Sequence, residues 1–210
     1  VHALRAVDWS YELLIAENGS TDRTEQIAAE LSERLPQVRY LHCDEPNYGE
    51  ALKTGILAAA GELVICEEID LCDTGFHEEA VAMLREAGLD LVIGSKVMRG
   101  AVDERPVPRR LATLAINAML RIAFGFRGTD THGLKAFRRA SLLPIVRRCV
   151  VDRDLFASEL VIRAERAGLR IEEIPVRVLE LRPPSVGLLR RVPQVLRSFG
   201  QLLVAIRAER

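Results

Sequence analysis

The chain has 210 residues, of which 49% are hydrophobic and 28% are charged, and its formal net charge is -1. This length suits one α/β domain with appendages, and the hydrophobic content excludes a largely disordered chain. A net charge near zero gives no support to nucleic-acid binding, which a strongly basic surface would indicate.

The first half of the chain alternates short apolar runs with segments of helical periodicity. The predicted strands cover residues 11–16, 38–42, 63–66 and 90–94, and the predicted helices cover 24–35, 50–60 and 76–87. Strands that alternate with helices indicate parallel pairing and a sheet covered on both faces. We therefore predict an α/β fold with a Rossmann-like, mostly parallel sheet and flanking helices.

The start of the chain does not fit this plan completely. Residues 2–10 contain no convincing strand, although a doubly wound sheet normally opens with one. We therefore expect the opening strand and its first turn to lie outside this sequence. In the second half, helices are predicted over 109–124, 141–146 and 155–167, and strands over 134–137 and 171–179.

The C-terminal segment of about thirty residues is more basic than the rest of the chain and has an amphipathic pattern. Between Arg177 and Arg210 there are seven arginines and only two glutamates, and apolar residues recur at steps of three and four from Val186 to Ile206. We predict a domain over 1–180 and a basic amphipathic helical tail over 181–210, with a kink or restart at Pro193. Such a tail would lie on an anionic membrane surface. The alternative is a helix that packs on the domain or on a partner subunit.

Two further observations concern the compartment. No apolar run approaches the ~20 residues of a membrane span. The four cysteines form no C-x-x-C pair, which favours free thiols in a reducing compartment over a zinc or redox motif. We therefore predict a cytoplasmic protein, peripheral at the inner face of a membrane.

Acidic residues follow two of the predicted strands at the point where each ends. Glu17 and Asn18 follow the first strand, and Glu68 and Asp70 follow the strand 63–66. Ligands of open α/β sheets bind at this edge, and residues two apart in extended backbone point the same way. Glu68 and Asp70 therefore suit Mg²⁺ or Mn²⁺, which would bridge a diphosphate and neutralise a leaving nucleoside diphosphate. The alternative is a solvated acidic turn in which Asp70 caps a helix.

Six segments in chain order resemble the motifs of family-two GT-A glycosyltransferases, and most closely those of dolichyl- and polyprenyl-phosphate sugar synthases. The segments are Glu17–Asp22, Asn47–Gly55, Glu68–Asp70, Ile93–Lys96, Thr129–Phe137 and Glu159–Arg177. The resemblance covers nearly the whole chain and implies a GT-A fold, a nucleotide-sugar donor and a divalent cation. Several positions depart from the family pattern, since Glu17, Asn18 and Glu68 stand where the family has aspartates.

The resemblance also implies roles for individual residues. Those implied to bind the nucleotide sugar are Glu17, Asn18, Ser20, Lys53 and Glu68. Catalytic roles fall to Asp70 as metal ligand beside Glu68, to Lys96 near the diphosphate, and to Asp130, which would orient the acceptor or act as base. Those implied to bind the acceptor, a lipid-linked phosphate, are Arg109, Arg110 and Asn117. Helical spacing places Arg109, Thr113 and Asn117 on one face. The alternatives are a surface lysine at 96 and a solvated, basic helix start at 109.

The sequence therefore predicts an inverting glycosyltransferase that moves a sugar from a nucleotide sugar to a polyprenyl phosphate or a related membrane acceptor. Two other functions stay open. A sugar-phosphate nucleotidyltransferase shares the α/β sheet and the metal-binding acids. A nucleotide-sugar-binding module with little or no turnover would account for the substitutions at Glu17, Asn18 and Glu68.

Overall fold

The computed structural model describes residue 4 and residues 7–69, 73–179 and 188–208. Its strands are β1 (Leu13–Asn18), β2 (Val38–Cys43), β3 (Leu63–Cys66), β4 (Leu91–Ser95), β5 (Val102–Asp103), β6 (Leu134–Arg138), β7 (Ile171–Pro175) and β8 (Arg177–Val178). Its helices are α1 (Thr24–Arg34), α2 (Tyr48–Ala58), α3 (Thr74–Glu86), α4 (Val107–Phe124), α5 (Arg139–Arg148), α6 (Phe156–Arg166) and α7 (Leu188–Arg207). The α/β class is therefore confirmed.

The strands form a four-stranded sheet of order β3-β6-β4-β7 and two separate pairs, β1-β2 and β5-β8. Pairing is parallel in β1-β2, β4-β7 and β5-β8, whereas β6 runs antiparallel to both β3 and β4. This reversal matters for the site. Because β6 enters the sheet from the opposite end, the loop that precedes it lies at the carboxyl edge of β3 and β4, where ligands of such sheets bind.

Two helices begin earlier than their apolar pattern predicts, because polar caps extend them. Asn47 caps α2 by accepting the backbone N–H of Glu50, and Asp73 caps α3 by accepting that of Phe76. The restart expected at Pro193 does not occur, since α7 runs through this residue as one helix. The two-residue strands β5 and β8 are too short to leave a periodic pattern.

Both faces of the four-stranded sheet are covered, as the alternating pattern predicts. Phe76, Ala80 and Leu84 of α3 pack on one face, and the larger core lies on the other. Leu202 and Ile206 of α7 belong to that larger core and are 0% and 1% exposed. The deepest apolar residues of the tail thus pack on the domain, which is the alternative that its sequence left open. No helix within the described ranges is both long and apolar enough to cross a membrane.

A gap separates β1 from β3. In the described chain, β1 pairs with β2 and β3 pairs with β6, and a cavity of about 970 Å³ lies between their other edges. Its walls include Ala51 and Gly55 of α2 and Val81 of α3.

Candidate active site

The loop after β1 is built around two side chains of the predicted nucleotide-binding set. The buried Glu17 carboxylate accepts the backbone N–H of Ser20 and lies 2.8 Å from Nδ1 of His42. Asn18 Oδ1 accepts the backbone N–H of Asn47 at 2.5 Å. Burial raises the pKa of Glu17, but the hydrogen bonds from Ser20 and His42 outweigh it and hold the pKa below its ordinary value. Glu17 and Asn18 therefore shape the loop, and their contact with a nucleotide sugar stays a prediction.

Ser20 and Lys53 occupy different surroundings, although both are implied to bind the donor. Ser20 is exposed at the tip of the loop after β1. Lys53 Nζ donates to the carbonyl oxygen of Cys149 at 2.6 Å and thereby joins α2 to the end of α5. This contact favours a structural role for Lys53, whose donor contact also stays a prediction.

Three acids follow β3, and each has a different status. Glu67 Oε2 lies 2.7 Å from Nε2 of His77, so its carboxylate is already engaged. Glu68 is exposed, and Asp70 lies outside the described residues. In the part of the chain that the structure describes, no group of three His, Cys, Asp or Glu side chains could hold a metal ion. The pairing of Glu68 with Asp70 therefore stays a prediction.

The structure brings Lys96 and Asp130 together as a buried ion pair. Lys96 Nζ lies 2.8 Å from Asp130 Oδ2, and the two side chains are 7% and 0% exposed. The backbone N–H of His132 donates to the other carboxylate oxygen at 2.9 Å. Burial raises the pKa of Asp130, yet the Lys96 charge and these hydrogen bonds hold it below its ordinary value. Asp130 is thus an ionised partner of Lys96, and its role toward an acceptor stays a prediction.

His132 holds the same loop in place. Its Nε2 donates to the carbonyl oxygen of Asp154 at 2.9 Å, so Nδ1 accepts from the Thr131 hydroxyl at 3.0 Å. Burial and the nearby Lys96 charge lower the pKa of His132 to about 4, which keeps the ring neutral. The geometry therefore supports a structural role for His132 through these hydrogen bonds.

Glu173 of β7 holds the loop of Thr129 and Asp130 through hydrogen bonds. It was not identified from the sequence. Its carboxylate accepts the backbone N–H of Thr129 at 2.7 Å, the Thr129 hydroxyl at 2.5 Å and the backbone N–H of Asp130 at 3.2 Å. The Thr129 hydroxyl also lies 2.6 Å from Ser95 Oγ at the end of β4. The only signal in the sequence is an acidic residue in an alternating strand, which is typical of any solvent-facing position.

Lys135 is a further candidate, to which no role was assigned from the sequence. It lies on β6 opposite Cys66, is 3% exposed, and donates from Nζ to the carbonyl oxygen of Gly133 at 2.8 Å. With Tyr48 and Glu68 it lines a small cleft at the carboxyl end of β3. Burial lowers the pKa of Lys135 to about 8, with a contribution from Lys96. A lysine inside an otherwise apolar strand is the signal that could have identified it.

The face of α4 predicted to bind the acceptor consists of Arg109, Thr113 and Asn117, and the structure reproduces it only in part. Arg105 donates to the Thr113 hydroxyl at 3.3 Å, and Arg110 is exposed. Asn117 is 1% exposed, and its Nδ2 donates to the carbonyl oxygen of Thr129 at 2.8 Å. Thr113 and Asn117 do share the inner side of the helix. Asn117 fastens α4 to the loop of Asp130, and its contact with an acceptor stays a prediction.

Gly133 is required where this loop passes β4. A Cβ at residue 133 would lie 1.8 Å from the carbonyl oxygen of Gly94, so alanine must displace the loop. We expect Gly133→Ala to lower the free energy of unfolding by about 1–3 kcal/mol, as overpacking does. Gly200→Ala is the control, because a Cβ there meets nothing within 4 Å, and it should stabilise α7 slightly. Denaturant titration compares the two, and equal stability of Gly133→Ala and wild type would contradict this close approach.

Comparison with known proteins agrees with this architecture. Residues 1–145 match the model of glycosyl transferase family 2. The chain is 32% identical over 209 residues to the glycosyltransferase AglD of Haloferax volcanii, and the match covers 96% of this chain and 33% of AglD. It is 25% identical over 178 residues to the dolichyl-phosphate beta-glucosyltransferase ALG5A of Trichomonas vaginalis, covering 80% of this chain and 54% of that protein.

Among solved structures, the fold resembles glucosyl-3-phosphoglycerate synthase of Mycobacterium tuberculosis in complex with Mn²⁺, UDP-glucose and phosphoglyceric acid. The TM-score is 0.63 at 21% identity, and the match covers 95% of this chain and 71% of that structure. The chain thus spans only about a third to a half of the two curated relatives named above. With the family model matching more than half of its residues, the chain belongs to glycosyl transferase family 2.

Proposed function

We propose that the chain is the catalytic domain of an inverting glycosyltransferase that moves a sugar from a nucleotide sugar to a polyprenyl phosphate or a related membrane acceptor. The observation that carries the proposal is the gathering of charges at one sheet edge. The Lys96–Asp130 pair and Lys135 lie beside the loop after β3, where Glu68 stands. Membership of the family favours sugar transfer over nucleotidyl transfer.

A divalent cation fits the residues present. Glu68 presents an exposed carboxylate at the carboxyl end of β3, and Asp70 follows two residues later. Mg²⁺ and similar ions need only one or two protein carboxylates when substrate phosphates complete their coordination. Glu68 and Asp70 would hold Mg²⁺ or Mn²⁺, and the bound ion would neutralise charge on the donor diphosphate. The Mn²⁺ in the complex of the mycobacterial synthase supports this assignment.

The protein side chains would supply the remaining stabilisation. Lys96 and Lys135 place two cations near the negative charge that grows on the leaving diphosphate. A phosphate oxygen of the acceptor attacks the anomeric carbon as the bond from that carbon to the diphosphate oxygen breaks, and the nucleoside diphosphate leaves with inversion. Because the acceptor phosphate is already ionised near neutral pH, no base is required. This agrees with Asp130 serving to hold Lys96.

The acceptor class rests on the relatives and on α4. The Trichomonas relative is named a dolichyl-phosphate beta-glucosyltransferase, and the mycobacterial structure contains phosphoglyceric acid. Both compounds carry a phosphate group. Arg109 and Arg110 at the start of α4 suit such a group, because guanidinium binds phosphate through two parallel hydrogen bonds.

A membrane acceptor would be met by a peripheral protein at the cytoplasmic face. The tail contributes to this contact through the apolar side chains that α7 leaves exposed. They are Val192, Leu196 and Val204. Arg197 and Arg207 of the same helix add positive charge toward anionic lipid.

The proposal predicts manganese-dependent release of UDP from UDP-glucose when a short-chain polyprenyl phosphate is present. Asp70→Asn should weaken manganese-dependent UDP binding by at least about tenfold, measured by isothermal titration, because a ligand of the ion is lost. Glu67→Gln is the matched control, since His77 already engages that acid. Equal affinity in Asp70→Asn would rule out the metal assignment. Donor binding without turnover would favour the binding-module alternative, and transfer to 3-phosphoglycerate alone would replace the acceptor class.

A further inference from the structure

The outer side of α4 carries an exposed apolar stripe. Its large members are Val107, Leu111, Leu114 and Ile122, which are 62%, 60%, 50% and 88% exposed. With the exposed Ala118 they follow one another at steps of four, three, four and four, so they line one side of the helix. The helix covers roughly 22 Å between its first and last members. Large apolar side chains that line one side of a helix usually pack in a core, whereas these are exposed at the surface of the protein.

The charged residues of α4 and of the segment that follows it have one sign. Between Glu104 and Asp130 the sequence contains five arginines and no acidic residue. Arg110 and Arg121 are exposed and border the stripe on the same side of the helix. An apolar stripe bordered by Arg110 and Arg121 is complementary to a surface that is apolar inside and anionic outside, which describes the interface of an anionic bilayer.

The inner side of the same helix reaches the catalytic loop. Asn117 Nδ2 donates to the carbonyl oxygen of Thr129, and the next residue is Asp130, the partner of Lys96. A helix lying in the headgroup layer would therefore hold the reacting loop at the depth of a lipid-linked phosphate. Arg109 and Arg110 stand at the start of that helix.

We propose that α4 is the principal membrane-docking surface of this protein and that its stripe inserts into the interface of an anionic bilayer. The inference rests on the proposed lipid-linked acceptor. A second copy of the chain is the less favourable occupant, because a two-fold contact through α4 would set Arg110 and Arg121 against cations of the same kind. The tail is secondary, because Leu202 and Ile206 of α7 are buried in the domain.

Co-sedimentation with vesicles tests this surface. The full chain should bind vesicles of equal phosphatidylcholine and phosphatidylglycerol at low salt and should bind phosphatidylcholine alone poorly. The double variant Leu111→Glu with Ile122→Glu should lower the partition by about tenfold or more, because two apolar side chains no longer insert. Ile27→Glu is the control for an exposed apolar residue on α1, and Val204→Glu tests α7. Ile27→Glu should retain full vesicle binding, and Val204→Glu should lower the partition less than the α4 variant does.

Several outcomes would overturn the inference. They are absence of binding by the wild type, loss of binding in Val204→Glu but not in the α4 variant, and a wild-type dimer that the α4 variant converts to a monomer without any change in vesicle binding. Activity separates this failure from failure of the proposed function. The α4 variant should still release UDP with a short-chain acceptor in solution, but should lose transfer to a long-chain acceptor embedded in vesicles.

Discussion

Replacing Lys96 with methionine is expected to lower turnover at least about a hundredfold and the free energy of unfolding by about 3–5 kcal/mol. The loss of turnover follows from removing a cation beside the leaving diphosphate. The loss of stability follows from Asp130, whose side chain is 0% exposed and would no longer be paired with a cation. Methionine has nearly the length of lysine, so little packing is lost.

A double-mutant cycle separates the two effects. Adding Asp130→Asn to Lys96→Met should restore most of the stability, because the uncompensated charge is gone, whereas turnover should stay low. Guanidinium denaturation and steady-state UDP release measure the two quantities. If Lys96→Met alone were as stable as the wild type, the pair could not be buried in the way the structure describes.

The pH dependence of stability gives an independent check on the pair. In the wild type, the pKa of Asp130 is lower in the folded than in the unfolded protein, whose value is about 3.9. The pair therefore stabilises the fold above that pH, and its contribution is lost as the pH falls through the folded pKa. In Lys96→Met, burial acts without the opposing cation and raises the pKa of Asp130. The variant should then become more stable, relative to the wild type, as the pH falls from 7 toward 5.

The fold was largely predictable because hydrophobic periodicity indicates whether a segment is a strand or a helix and where it begins and ends. β3 was predicted at its observed bounds, and α1 and β2 to within one residue, since apolar runs and their stops are local. The antiparallel direction of β6 was not predictable from its pattern. A buried strand is apolar on both faces whichever way it runs, so direction depends on the path of α4 before it.

The candidate site was predictable only for those polar or charged residues that directly follow the end of a strand. Lys96 and Asp130 were identified separately, from motifs 34 residues apart, and no local signal reveals that they form one ion pair. Glu173 and Asn117 act on the same loop from β7 and α4, and their roles depend on tertiary contacts. A polar residue on a strand or helix gives the same pattern whether it faces water or a buried loop.

Lys135→Met is expected to make the protein more stable at pH 7 and less able to bind its donor. Lys135 is 3% exposed and its pKa is lowered to about 8, mainly by burial. Relative to an unfolded value of about 10.4, this shift corresponds to a cost of about 3 kcal/mol for keeping the ammonium charged. Methionine removes that cost, and the apolar Leu52 and Leu134 beside the cleft can pack against it.

The sign of the pH effect follows from the direction of the shift. Because the folded pKa of Lys135 is lowered, its destabilising effect is fully present below about pH 8 and fades as the pH rises toward about 10.4. The wild type should therefore gain stability across that range, relative to Lys135→Met. Over the same range its affinity for UDP should fall, since the ammonium loses its charge.

Donor binding decides between a functional and a structural lysine. Because the Lys135 ammonium near Glu68 is removed, we expect the affinity of Lys135→Met for UDP with manganese to fall about tenfold or more. Arg138→Met on the same strand is the matched control, because its guanidinium donates to the carbonyl oxygens of Leu84 and Leu89 and lies at the far end of β6. That variant should lose stability and keep its affinity for UDP. A buried cation that lowers the free energy of unfolding is retained in a sequence when a ligand needs it. A Lys135→Met variant that is destabilised yet binds UDP normally would therefore contradict a role of Lys135 in the site.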